Sequence, residues 1–277
     1  MLNKFLFIFF LFFWFTSPAF AANQIVVVKI SGAINPAVAE FVSHEIHKAN
    51  EDQQELIVLN MDTPGGLDTS MRQIIKKIQS SEVPVATYVS PSGSRAASAG
   101  AFITIASHIA AMAPGTNIGA AHPVNMMGGS GEGGQGETMK EKVVNDAAAY
   151  IRSLAELRKR NSHWAELAVV KSVSISAEEA KKLNVIDLLA TDIQALILAL
   201  NNREVRVASG LKLLKTTDQE IIFQEMNTRQ KMLNIISNPN VAYILLMIGM
   251  VGLYFELSNP GLVFPGVIGA VSMVLAL

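Results

Sequence analysis

Three serines, Ser92, Ser94 and Ser98, stand within a short run of small residues, "SPSGSRAASAG" from Ser90 to Gly100. A serine that attacks a carbonyl needs a base, hydrogen-bond donors for the oxyanion and room for the substrate backbone. Ser98 meets the last two needs best of the three. Ala97 and Ala99 flank it, Gly100 follows, and it stands at the expected start of a helix, where the next N–H, that of Ala99, can face an oxyanion. Its structural alternative is a helix N-cap, a role that serine often fills. The G-x-S-x-G elbow is not matched, because Ala96 stands where its first glycine would be.

A second loop, "TPGG" from Thr63 to Gly66, offers more donors. Paired glycines let a substrate carbonyl come close to the backbone, so Gly65 and Gly66 are candidates for substrate contact, and the helix that follows adds its positive end. As a base, a histidine accepts a proton near neutral pH without a large shift, and His122 lies 24 residues after Ser98. A lysine does so only where burial lowers its pKa from about 10.4 toward 7. Lys142 adjoins Val143, Val144 and the Ala147–Ala148 pair and is expected to be buried among them, whereas Lys140 has polar neighbours. These residues leave the base open among Lys142, Lys140 and His122.

The elements that must position these loops are legible in the hydrophobic pattern. "NQIVVVKISG" is a continuous apolar run with the look of a strand buried on both faces, "ELIVLNM" is a second buried strand, "VPVATYV" a third strand and "IAAMAP" a short one. Between the first two, Asn35-Pro36 is an N-cap with a first-turn proline for a helix to about Ala49. Leu67, Met71, Ile74, Ile75 and Ile78 have helical spacing. The order β-α-β-α-β-α argues for a parallel α/β sheet, in which ligands bind beyond the carboxyl ends of the strands, where both loops fall. Further helices are expected from about Glu137 to Arg160, after the capping box at Ser176–Glu179, and near Asp192. The Gly-rich run near residues 128–136 is either a slack connection or a flap over the site.

The chain has 277 residues, 50% of them apolar and 16% charged, which directs attention to membrane segments. Residues 1–21 read as a secretory signal peptide: Lys4, an apolar core from Phe5 to Phe15, and Ala19-Phe20-Ala21. Eleven helical residues rise only about 16 Å, well short of the ~30 Å hydrocarbon layer. At the other end, "VAYILLMIGMVGLYF" and "LVFPGVIGAVSMVLAL" carry no charge and read as transmembrane helices, the second truncated as in a fragment of a longer protein. A net charge of −1 without a basic cluster argues against nucleic acid, and zero cysteines exclude thiol catalysis and disulfides. The expected organisation is a signal peptide over 1–21, a catalytic domain over 22–200, a partly β linker with a polar helix over 201–239, and membrane segments over 240–277.

Taken together, "DTPGG", "GSRAASAGAFI", "MAPGTNIGAAHPV" and "ISNPNVAYILLMIGMVGLYFELSNPG" resemble the NfeD family of membrane-bound serine proteases, of the Clp protease and crotonase superfamily. The resemblance implies a Clp-like β-α spiral domain followed by C-terminal transmembrane helices, and a Ser-Lys dyad. The family's "ASAG" serine falls on Ser98. Its lysine, in a K-x-x-N pattern before "YIxSLA", falls on Lys142, with Asn145 and "YIRSLA" from Tyr150 matching. Gly66 and Ala99 would supply the oxyanion N–H groups. If the chain is a protease, its apolar subsites are expected at Leu67, Met126 and Met127. His122 sits near the place of the Clp histidine and remains the alternative base. The resemblance further implies an apolar peptide substrate and a stomatin-like membrane partner, and shared sites in the superfamily point to a homodimer or higher oligomer. The leader places the domain outside the cytoplasm, and no metal or organic cofactor is expected. Two other readings are a crotonase-type acyl-thioester enzyme, disfavoured by export, and an inactive scaffold for the same partner.

Overall fold

Four near-continuous apolar runs become the centre of one parallel sheet: β1 (Ile25–Ser31), β2 (Leu56–Asp62), β3 (Val85–Val89) and β5 (Ile109–Met112). In the computed structural model, which describes residues 24–124, 134–259 and 263–276, these strands are buried on both faces. Val26, Val28 and Ile30 of β1 enter one core, while Ile25 and Val27 enter a second on the opposite face. The same alternation holds in β2, with Ile57, Leu59 and Met61 on one side and Leu56 and Val58 on the other. Two-sided burial is why no polar alternation marks these strands.

The crossover helices are α1 (Pro36–Glu51), α2 (Asp68–Gln79) and α3 (Ala99–Ala106). Asn35 caps α1 as expected, its side chain accepting the Val38 N–H at 3.0 Å. In α2, Met71, Ile74, Ile75 and Ile78 are buried, but Leu67 is the cap residue and is 38% exposed. It therefore belongs to the surface, not to the apolar stripe in which its spacing placed it.

Three strands of three residues each form a small second sheet that the hydrophobic pattern did not reveal. They are β4 (Arg95–Ala97), β6 (Asn117–Gly119) and β7 (Ser174–Ser176), in the order β4-β6-β7. A parallel bridge from Thr63 to Ala96 joins β4 to the end of β2, which sets the two loops side by side. Helices α4 (Gly134–Leu157), α5 (Ser162–Val170), α6 (Ala177–Lys182) and α7 (Ile193–Leu200) follow, with β8 (Leu188–Leu189) between the last two. The capping box at Ser176 and Glu179 is formed as read.

Residues 201–239 are more than a linker. The hairpin of β9 (Glu204–Val207) and β10 (Gly210–Leu213) buries Val205 and Val207 in the second core. β11 (Ile221–Gln224) then pairs in parallel with β1, giving the sheet order β11-β1-β2-β3-β5-β8. Helix α8 (Thr228–Ile236) leads to α9 (Pro239–Ser258) and α10 (Val263–Ala276). The stretch Asn240–Ser258 is long and apolar enough to cross a membrane, and only 11% of its most apolar window is buried. α9 and α10 pack as a hairpin at glycines: a Cβ on Gly249 or Gly269 would crowd the facing helix, which is the close small-residue packing used between helices in lipid. The leader expected over 1–21, and Met126 and Met127, lie outside the described residues.

Candidate active site

Ser98 joins β4 to α3 with φ 52° and ψ −117°, a left-handed conformation that a residue with a Cβ seldom adopts. Such strain, on the order of 1–3 kcal/mol, persists only where the surroundings impose it. Here they do. The Ser98 N–H donates to the Gly119 carbonyl at 3.0 Å, and its own carbonyl accepts the N–H groups of Ala101 and Phe102 at 3.0 and 3.4 Å. The hydroxyl takes no part in capping the helix. Ser98 thus holds an N-cap position by its backbone alone and leaves Oγ available. The competing serines are engaged elsewhere: Ser92 Oγ donates to the Pro114 carbonyl at 2.7 Å, and Ser94 is 4% exposed.

The glycine loop fits against this serine. Gly65 has φ +124°, and a Cβ there would lie 2.6 Å from Ser98 Cβ and 3.1 Å from Ser98 Oγ. Thr63 Oγ1 fixes the turn, accepting the Gly65 N–H and donating to the Gly65 carbonyl, each at 3.1 Å. Ile34 clamps the loop from the other side: its N–H donates to the Gly65 carbonyl at 2.8 Å, and its carbonyl accepts the Leu67 N–H at 2.9 Å. A Cβ on Gly66 would run into the Ile34 backbone. The bridge straddles Gly66, whose N–H, like that of Ala99, makes no backbone hydrogen bond among the described residues. Both residues line one cleft with Ser98. Two free N–H groups beside a free hydroxyl are what stabilisation of an oxyanion requires.

The cleft, of about 600 Å³, has apolar walls from Leu67, Met71, Phe102, Ala121, Val143 and Ala147. Leu67 was anticipated. Gly65 lies beneath Ser98 and does not line the cleft. Met71 was legible only as a core position of α2, and Phe102 only as a helix interior residue. Its spacing four residues after Ser98, on the same face of α3, is the signal that could have found it.

Arg160 fixes the far end of α3. Its Nη1 donates to the carbonyls of Thr104, Ile105 and Ser107, and Nη2 pairs with Asp187. It supplies the cation that a helix C-terminus favours. Burial lowers the Arg160 pKa and Asp187 opposes that shift.

The base candidates are placed differently from one another. His122 Nδ1 lies 2.9 Å from the Val169 carbonyl, which can only accept, so Nδ1 carries the proton and Nε2 keeps its lone pair. A smaller cavity of about 260 Å³ between His122, Pro123, Val124, Lys140 and Val143 shares the last three apolar residues, Pro123, Val124 and Val143, with the Ser98 cleft. Lys142 is exposed and lines neither cavity, so the apolar burial expected of it is not found. The reason is helical geometry. The buried stripe of α4 is Ala147, Ile151 and Leu154, and Lys142, five residues before Ala147, lies about 140° around the helix from it. Lys140, seven residues before Ala147, points nearer that side.

α4 is tied to the glycine loop by charge. Arg72 Nε pairs with Asp68 at 2.8 Å and Nη2 with Asp146 at 2.6 Å. Its guanidinium sits 4.3 Å from the centroid of Tyr150, which stacks on Phe102 at 6.1 Å. Burial works against the Arg72 charge, but Asp68 and Asp146 outweigh it and the net pKa shift is upward. Among the described residues no three His, Asp or Glu side chains gather as a metal site.

Comparison with known proteins places this geometry among relatives. Residues 24–223 match a family model described as the N-terminal domain of NfeD1b, and residues 240–277 one described as the NfeD integral membrane domain. Over 263 residues the chain is 36% identical to the membrane-bound protease PH1510 of Pyrococcus horikoshii, covering 94% of this chain and 59% of that protein. Over 254 residues it is 28% identical to the membrane protein NfeD1b of Bacillus subtilis, covering 91% of this chain and 55% of that one. The chain thus spans little more than half the length of these curated relatives. Among solved structures, a lysine-to-alanine mutant of the 1510-N membrane-bound stomatin-specific protease, in complex with a substrate peptide, gives a TM-score of 0.71 at 35% identity, covering 78% of this chain and 99% of that chain. The 1510-N membrane protease specific for a stomatin homologue from Pyrococcus horikoshii gives 0.67 at 33% identity, covering 78% and 99%.

Proposed function

The chain belongs to the NfeD family, with an N-terminal domain of the family's α/β fold and a C-terminal membrane domain, and from that premise we propose that it is a membrane-bound serine endopeptidase acting on apolar segments of a stomatin-like protein. The observation that carries the reading is Ser98: a strained, uncapped serine between the free N–H groups of Gly66 and Ala99, at the mouth of an apolar cleft. Ser98 Oγ attacks the scissile carbonyl as its proton passes to the side-chain nitrogen of Lys142. The tetrahedral oxyanion is held by Gly66 and Ala99, and collapse releases the amine leaving group with that proton. Water then cleaves the acyl-enzyme ester by the same route in reverse. Leu67, Met71 and Phe102 receive an apolar side chain, together with Met126 and Met127.

In this reading the first turns of α4 move onto the cleft when peptide binds, because Val143, beside Lys142, already lines it. His122 is a second reading, supported by its fixed tautomer and its cavity beside the cleft. The catalytic domain lies outside the cytoplasm, exported by a leader at residues 1–21, and works as a homodimer or higher oligomer without a cofactor.

The test is exposure of the full chain in bilayers to a fluorophosphonate, with hydrolysis of an apolar peptide measured for K142A, K140A and H122A. An adduct on Ser98 with hydrolysis lost in K142A is expected. No adduct would overturn the protease reading. Hydrolysis that survives in K142A but is lost in H122A or K140A would overturn the dyad.

A further inference from the structure

The short helix before the membrane span is built inside out. In α8 no residue is buried: Met232, Leu233 and Ile235 are 59, 44 and 59% exposed. Its polar residues turn toward the domain instead. Asn35 Nδ2 donates to Asn234 Oδ1 at 2.7 Å, and Lys231 pairs with Glu225 at 3.3 Å. A helix that packs on a soluble domain normally shows the reverse arrangement.

What covers that outward face is indicated by continuity. α8 ends at Ile236, and α9, whose Asn240–Ser258 stretch is the candidate span, begins at Pro239. The apolar surface of α8 therefore leads into the surface of a membrane helix with only Ser237 and Asn238 between them. α8 also carries Arg229 and Lys231 and no acidic residue, which suits a helix lying among phospholipid headgroups.

We propose that α8 lies in the plane of the bilayer interface, with Met232, Leu233 and Ile235 in the acyl boundary, and fastens the domain to the membrane surface. The fastening point is close to the active site along the backbone. Asn35, which holds Asn234, follows Ile34, the residue that clamps the Gly65–Leu67 loop beside Ser98. A membrane-bound α8 thus keeps the oxyanion side of the cleft near the bilayer surface, where an apolar segment of a membrane-associated chain would arrive.

The chain contains no cysteine, so single cysteines carry spin labels without background. M232C and I235C are prepared in the full chain, with K77C on exposed α2 as a water reference and V251C in α9 as a lipid reference. Each is placed in vesicles of phosphatidylcholine and phosphatidylglycerol. Collision with oxygen, which partitions into lipid, is compared with collision with a water-soluble nickel complex. For M232C and I235C the oxygen-to-nickel ratio is expected to be several-fold above that of K77C and below that of V251C. A ratio equal to that of K77C overturns the proposal. Exclusion of both reagents with dipolar broadening between labels also overturns it, since the face would then be covered by a second copy.

Discussion

Gly65→Ala isolates the fit between the glycine loop and Ser98. The added Cβ would sit 2.6 Å from Ser98 Cβ, where carbon atoms in contact normally stand about 3.5–4.0 Å apart. Ser98 or the loop must therefore give way by about 1 Å. Misplacement on that scale costs about 10²-fold in rate, or about 2.7 kcal/mol in kcat/KM. The loop cannot easily yield, because Ile34 clamps it on the far side and Thr63 Oγ1 fixes the turn. Alanine at φ +124° adds strain of about 1–3 kcal/mol, and each kcal/mol lowers Tm by roughly 2–4 °C in a domain of this size. The assay is kcat/KM on an apolar peptide, together with the rate of fluorophosphonate labelling and thermal melting. Both rates should fall together by about two orders of magnitude, since the hydroxyl itself is displaced, while the protein melts a few degrees lower. Unchanged labelling and hydrolysis in a folded G65A protein would refute the argument that this glycine makes room for the serine.

The backbone strain at Ser98 is tested by comparing S98A with S98G, both expected to lose hydrolysis. Glycine relieves the positive φ but loosens the unfolded chain, so S98G should be more stable by roughly 0.5–1 kcal/mol in denaturant titration, and an S98G midpoint no higher than that of S98A would refute a strain larger than the entropic cost of glycine. His108 bears on pH dependence: burial first, then Arg158 and Arg160, lower its pKa from 6.5 to about 3. Between those values the unfolded chain binds a proton that the folded chain refuses, so the His108 contribution is complete above pH 6.5 and is lost as pH falls toward 3. Tm should drop less steeply between pH 7 and 4.5 in His108→Asn than in the wild type, and equal slopes would sink the assignment.

The central sheet was legible in the sequence because parallel strands buried on both faces leave continuous Val and Ile runs, as in β1 and β2. The caps at Asn35 and Ser176 were legible too, since each is a local hydrogen bond. β4, β6 and β7 were not: three residues carry no periodicity, and their pairing depends on partners far along the chain. β11 escaped for the same reason, lying more than 190 residues from the strand it joins. At the site, the small residues around Ser98 and in the Thr63–Gly66 loop drew attention to two segments that border the cleft, whereas the walls formed by Met71 and Phe102 looked like ordinary core. The placement of Lys142 was misjudged by counting sequence neighbours, Val143 and Val144, instead of turns of helix. Residues adjacent in sequence point about 100° apart on a helix.

The pairing of β11 with β1 bears on how the molecule is made. The first strand to be synthesised keeps an open edge until residues 221–224 have emerged, only a short distance ahead of the segment Asn240–Ser258. An open strand edge is a template for wrong partners, so the nascent chain is exposed to misassembly until β11 has been made. Completion of the sheet and emergence of the candidate span then fall almost together, which ties maturation of the N-terminal domain to that of the membrane domain.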